Sequence, residues 1–268
     1  MSYQIKKCTG ILAPYVKQYW MIDHCFSKGK QHIQRIIPSG LLELSFFTSD
    51  LPAALNGKAT YSAQSTLVGQ QTEFVDLVIE KSLSLFSVTF KAEGAALFFN
   101  LPLNETENLY LPLKDLIKGG HELEEKLASK PIFEDKIRMI EKTLLSTLEH
   151  NTGNHFDKRI KGIMDEIDNH KGNSKISELS SQAFLSKKQF ERNFKSNIGI
   201  SPKKFLRIIR FQHAIQSWQQ SPLKLTELAY KCGYYDQSHM IHEFKSLSGH
   251  SPRELLTNDN PPYSDYFN

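Results

Sequence analysis

Residues 225–256 read LTELAYKCGYYDQSHMIHEFKSLSGHSPRELL, and this stretch decides the fold. Leu225–Cys232 has the length and apolar spacing of a short helix, and Gly233 supplies a tight turn after it. Asp236 is a good N-cap for a second helix running to Leu247. Gly249 stops that helix. Ser251-Pro252 then starts another, an N-cap followed by proline at the first helical position. A short helix, a tight turn and a second helix make a helix-turn-helix unit.

Working outward, the same text occurs again upstream. Phe194-Lys195-Ser196 recurs as Phe244-Lys245-Ser246, Gly199 as Gly249, Ser201-Pro202 as Ser251-Pro252 and Leu206 as Leu256, all at an offset of fifty. Ser177-Glu178-Leu179-Ser180 matches Thr226-Glu227-Leu228-Ala229 at forty-nine. The extra residue falls where a turn between helices belongs. The upstream copy uses Ser186 as N-cap and Gly199 as stop. Between the copies, Pro202–Trp218 places Phe205, Ile208, Ile209, Ile215 and Trp218 at core spacing, with Arg207 and Arg210 expected outside. Phe156–His170 reads as a further helix, ended by His170-Lys171-Gly172-Asn173.

Helical phase separates the faces of the second helices. Phe190 and Phe194 point inward in the first unit, and Met240, Phe244 and Leu247 in the second. Lys188, Gln189, Arg192 and Lys195 point outward, and at the fifty-residue offset they become Ser238, His239, His242 and Lys245. These are donors suited to base edges and phosphates. The candidate base contacts are Lys188, Gln189, Arg192, Ser238, His239 and His242. Lys187, Lys195 and Lys245 are candidate phosphate contacts, and Gln237 completes the DNA-facing set. The bland reading is a solvated cationic face; duplication at fixed spacing argues against it. Two rigidly linked recognition helices about 34 Å apart could enter successive major grooves on one face of B-DNA.

Charge agrees with this reading. The chain of 268 residues has a net charge of +4. Residues 154–257 carry 17 Lys and Arg against 10 Asp and Glu, so the excess sits in the C-terminal part. Such a block suits a polyanionic partner.

The N-terminal part reads differently. Tyr15–His24, Leu41–Thr48 and Leu85–Phe90 are short apolar or alternating runs separated by turn signals such as Pro38-Ser39-Gly40. They predict an antiparallel barrel or sandwich. Gly94–Leu101 is ambiguous. Ile132–His150 spaces Phe133, Ile137, Ile140, Leu144 and Leu148 as an amphipathic helix, either a dimer seam or a face packed on its own domain. Asn151–Asn154 is the expected linker.

LSKKQFERNFKSNIGISPKKFLRIIRFQHAI and the 225–256 stretch resemble the AraC/XylS family of bacterial transcriptional regulators. The resemblance covers residues 156–257 and implies a seven-helix DNA-binding domain with two helix-turn-helix units. The chain departs from the family at Phe184, where many members have glycine, at Ser180, where many have alanine, and at His242, where arginine is common. YVKQYW, IIPSGLLELSFF and LFSVTFKAEGAALFF resemble the sensor-like domain of one subgroup. In the wider family such domains are often cupin-like barrels that bind an effector or mediate dimerisation.

The expected architecture is therefore α+β in two domains. A β-rich, cupin-like barrel or sandwich with helices (1–150) precedes an all-α domain with two helix-turn-helix units (156–257) and a loose tail (258–268). The expected function is sequence-specific, DNA-binding regulation of transcription, controlled by a small effector or by oligomerisation. Expected partners are double-stranded promoter or operator DNA, an effector, RNA polymerase and a second copy of the chain. The expected location is the cytoplasm, at the nucleoid, with no membrane association.

Trp20, Phe46, Phe86 and Phe90 are candidate aromatic lining for an effector, with Glu43 or His32 as polar contact; ordinary core aromatics are the alternative. Neither a cofactor nor a metal is expected, because His24, His32, His121 and His150 lack ligand spacing. Cys8, Cys25 and Cys232 form no C-x-x-C pair. His24 and Cys25 are neighbours that a strand sends to opposite faces, so no catalytic dyad is expected. Two alternatives are weighed: a ligand-independent DNA-binding protein whose N-terminal domain only mediates interaction, and an enzyme domain localised by the DNA-binding region.

Overall fold

A computed structural model describes residues 2–26, 32–55, 60–99, 102–150 and 158–256. The expected linker Asn151–Asn154 and the tail 258–268 lie outside the described residues.

The N-terminal domain is a two-sheet sandwich. Six strands form one antiparallel sheet: β1 (Ser2–Lys7), β2 (Val16–Cys25), β4 (Leu42–Phe47), β6 (Ser65–Val68), β8 (Ser82–Phe90) and β9 (Tyr110–Pro112), in the order β1-β2-β8-β4-β6-β9. Strands β3 (His32–Ile36), β5 (Ala53–Ala54) and β7 (Val75–Ile79) form the second sheet, ordered β3-β7-β5. The sheets do not close into a barrel, so of the two expected forms the sandwich is the one that occurs.

Alternation along the strands builds two cores from one sheet. Leu42, Leu44 and Phe46 of β4, with Phe86, Val88 and Phe90 of β8, pack against helices α1 (Gly120–Ala128) and α2 (Phe133–His150). Phe47, Leu83 and Leu85 face the other way and meet Trp20, Ile22 and Ile79 between the sheets. The apolar face of α2 is thus used inside its own domain: Phe133, Ile137, Ile140 and Leu144 are all core residues. A dimer seam on that face has no apolar stripe left to use.

Among the described residues seven helices follow: α3 (Lys158–Asn169), α4 (Ile176–Gln182), α5 (Lys187–Ile198), α6 (Pro202–Gln220), α7 (Leu225–Lys231), α8 (Gln237–Ser248) and α9 (Pro252–Leu256). Their boundaries follow local chemistry. Ser186 and Gln189 form a capping box on α5, and Asp236 Oδ1 accepts the amide of His239 at 2.7 Å to cap α8. Gly199 and Gly249, at φ of 100° and 74°, end α5 and α8 in the left-handed conformation. The core of this domain extends into the N-terminal part, taking in Ile37 and Ala92.

Candidate nucleic-acid interface

Each recognition helix has one side in the core and one side free. In α5, Phe190, Phe194 and Ile198 are fully buried, while Lys187, Lys188, Gln189, Arg192 and Lys195 are exposed. In α8, Met240, Phe244 and Leu247 are buried, while Ser238, His242 and Lys245 are exposed. The short helices α4 and α7 brace them through Leu179 and Leu228, both at 0% exposure.

Three of the expected contacts are engaged within the protein. The side-chain oxygen of Gln189 accepts from Ser186 N at 3.2 Å and Ser186 Oγ at 2.8 Å. Its amide nitrogen alone is left over, and bidentate pairing with adenine needs both atoms. Gln237 Oε1 accepts from Thr226 Oγ1 at 2.8 Å, tying α8 to α7. His239 is half-buried: its Nδ1 accepts from the Tyr235 amide at 3.3 Å, and its Nε2 lies 3.4 Å from Glu243 Oε1.

Glu243 is the residue that helical phase alone missed. It is 4% exposed, and Arg207 Nε at 3.0 Å and Arg210 at 3.5 Å surround it. Arg207 and Arg210, expected outside, instead turn in from α6 and clamp α8. Arg210 also stands 5.3 Å from the Tyr234 ring. The sequence holds only a partial signal: two arginines one turn apart on the linking helix and a single acid on α8.

The turns differ between units. Phe184 sits at φ 54° with its ring 90% exposed, and the matching position is Gly233 at φ 76°. The first turn therefore forms in the left-handed region despite lacking glycine, at a conformational cost of about 1–2 kcal/mol.

The N-terminal domain holds the far end of both recognition helices. Arg35 on β3 makes a two-pronged pair with Asp76 on β7, at 2.6 and 2.7 Å. Its remaining nitrogen donates to the carbonyl of Ser248 at 2.9 Å, at the C-terminus of α8, and lies 2.7 Å from His250 Nε2. A cation there complements the helix dipole. Phe74 stacks 4.3 Å from the guanidinium. A Cβ on Gly249 would come within 2.7 Å of Arg35 and 2.8 Å of Phe74, so glycine permits the approach. At the end of α5, Gly199 packs on Gln70 and the Leu103 carbonyl. Gln212 Nε2 donates to Pro38 O at 2.6 Å, and Lys204 pairs with Glu107 at 2.5 Å.

The expected effector residues divide. Trp20 and Glu43 line one small cavity between the two sheets. Phe46, Phe86 and Phe90 lie on the opposite face of the sheet, against the helices, because odd and even positions of a strand part company. His32 is stacked on Phe26 at 4.6 Å and does not reach the cavity. A larger cleft of about 430 Å³ opens between the domains, bordered by Lys17, Lys91, Lys171, Glu93, Asp165 and Asp168 among others.

The cysteines are free thiols, and burial pushes those of Cys8 and Cys232 up, away from nucleophilic character. Among the described residues no group of three or more His, Cys, Asp or Glu could hold a metal, and no helix is long and apolar enough to cross a membrane.

A β sandwich followed by seven helices with two capped recognition helices defines a class: single-chain, double helix-turn-helix proteins. Its C-terminal part is similar to helix-turn-helix regulators of transcription. The profile of a helix-turn-helix domain family matches residues 179–258, and that of a domain of unknown function (DUF6597) matches residues 8–112. The chain is 38% identical to the probable transcriptional regulator LumQ of Photobacterium leiognathi, over 29% of this chain and 31% of LumQ. It is 28% identical to the HTH-type transcriptional activator RhaS of Enterobacter sp. (strain 638), over 42% of this chain and 39% of RhaS. The chain thus spans less than two fifths of these relatives. ToxT from Vibrio cholerae O395 has a similar fold, with a TM-score of 0.50 and 14% identity over 89% of this chain and 96% of that one.

Proposed function

We propose that the chain is a sequence-specific DNA-binding regulator of transcription. One observation carries this reading. Two recognition helices, related by an internal repeat, bury matched apolar sides and leave matched polar sides exposed. Lys188, Arg192 and Lys195 would serve the first half-site, and Ser238, His242 and Lys245 the second. Arg192 is the strongest single candidate for guanine, since its side chain can give two donors to one base edge. Lys187, Lys195 and Lys245 would hold phosphates. Gln189, Gln237 and His239 would act chiefly by shaping the two units.

The N-terminal domain would govern how the helices are presented, because it touches the ends of both. RNA polymerase would be its partner at promoters and the bacterial nucleoid its place of action. Pairing of two chains would need a surface other than the buried face of α2, and sedimentation of the full chain measures it. No catalytic role is assigned, and the relatives are named as regulators.

Selection of bound duplexes from a random library with the full chain tests the proposal. The expected result is an asymmetric motif in two parts, centred about 10 base pairs apart. Recovery of unselected sequence, with binding set by salt alone, would contradict it.

A further inference from the structure

The cavity between the two sheets measures about 70 Å³, room for about five water-sized groups. Its walls are apolar and aromatic. Phe47 meets Tyr61 edge-on at 4.6 Å, Tyr61 meets Tyr110 at 4.9 Å, and Trp20 closes one side. Into this chamber β4 directs the carboxyl of Glu43, which accepts a hydrogen bond from Ser45 Oγ at 3.1 Å. The described lining contains no lysine, arginine or histidine. An ionised acid in an apolar chamber is costly unless a positive charge meets it, and none of the described lining residues supplies one. Four aromatic residues border the same small volume, and a ring that offers its face to a cation attracts it. The larger cleft between the domains is less informative, since its lysines and acids balance one another and select no charge.

We propose that this cavity is the effector site and that its ligand is a small organic cation, an amine or quaternary ammonium of about five heavy atoms, paired with Glu43 and caged by Tyr61, Tyr110, Phe47 and Trp20. The assignment rests on reading the N-terminal domain as the controlling unit and adds the chemical class of what controls it. It disfavours carboxylates, which would be buried with no counter-ion in the described lining and, where Glu43 is ionised, beside a like charge. Burial raises the Glu43 carboxyl to about 7 in the empty cavity, with Tyr61 and Tyr110 the titratable groups facing it. Cation binding therefore displaces the carboxyl proton to solvent below that pH. The site has a physical route to the recognition helices. Gln34 and Ile36 of β3 line the cavity, and Arg35 between them points the other way, onto the end of α8.

Titration calorimetry on the full chain without DNA tests this. The probes are butylammonium, tetramethylammonium and guanidinium chlorides, with butyrate and butanol as matched controls. Saturable binding of at least one cation, none of butyrate, and release of about one proton at pH 6 are expected. Glu43→Gln should weaken cation binding at least tenfold, and Tyr61→Leu about fivefold, with unchanged far-UV circular dichroism showing that each still folds. Butyrate or butanol binding as tightly as the cations, no cation binding at all, or unchanged affinity in Glu43→Gln would each overturn the assignment. A chain that ignores amines but selects a DNA motif sinks this inference and leaves the regulator reading standing.

Discussion

The first and second helix-turn-helix units share a backbone plan and differ in how they use their polar residues. The first has Phe184 in its turn, Asn193 on its recognition helix and Lys188, Arg192 and Lys195 on its free face. The second has Gly233, and its Glu243 and His239 are drawn into a cluster with Arg207 and Arg210. Asn193 and Glu243 occupy equivalent positions at the fifty-residue offset. The second unit thus directs charge inward, fixing α8 to the linking helix α6. The first leaves Lys188, Arg192 and Lys195 exposed. The two modules thus differ in side-chain use: the first leaves more of its polar side chains exposed, and the second commits Glu243 and His239 to fixing α8.

The largest effect should come from breaking the inward cluster. Glu243→Ala leaves two half-buried arginines unpaired and should cost about 3 kcal/mol of stability by urea unfolding. Asn193→Ala should cost less than about 1 kcal/mol. Equal losses would erase the contrast between the units. On DNA the order reverses. Arg192→Ala should cost about 1–3 kcal/mol on the selected site and relax one base position, and His242→Ala should cost less. Competition binding on single-base variants measures both, and a larger loss at His242 would assign base reading to the wrong unit.

The turns offer a finer comparison. Gly233→Ala forces a side chain into the left-handed region, where its Cβ would fall 2.0 Å from the Asn173 side chain. It should destabilise by about 2 kcal/mol. Phe184→Gly relieves strain on an exposed ring and should stabilise by up to about 1 kcal/mol. A loss of thermal stability in Phe184→Gly would show that the ring has a packing partner.

The smallest effect concerns the contact of α8 with the N-terminal domain. Burial, then the neighbouring Arg35, hold the His250 pKa below its ordinary 6.5; Glu254 and Asp76 also face the ring and oppose this. The folded chain thus keeps this imidazole neutral while the unfolded chain protonates first. Its contribution is present above about pH 6.5 and is lost as the pH falls below that. Melting temperatures of wild type and His250→Gln should converge between pH 7 and 5.5, and parallel curves would remove His250 from the contact.

The C-terminal helices were legible because their signals are local. Ser186, Asp236, Gly199, Gly249 and Pro202 each mark a boundary within one turn of where they act. The sandwich was only half legible. β2, β4 and β8 carry dense apolar runs, whereas β1 is exposed along its whole length and shows no burial pattern. Its register with β2 comes from pairing that no short window contains. Face assignment failed in the same way: Phe90 and Glu43 belong to strands read correctly, but which side faced the second sheet depended on β3 and β7. The grip of Arg35 on Ser248 joins positions 213 apart and had no trace in either stretch alone.

In the proposed reading one chain places two free helix faces in neighbouring grooves at a fixed separation. Inserting about five base pairs between the two parts of the selected site turns one part to the opposite side of the duplex. Measured by fluorescence anisotropy with the full chain, affinity should fall to that of a single half-site. Undiminished affinity for the lengthened site would show that the two units do not bind as one rigid body.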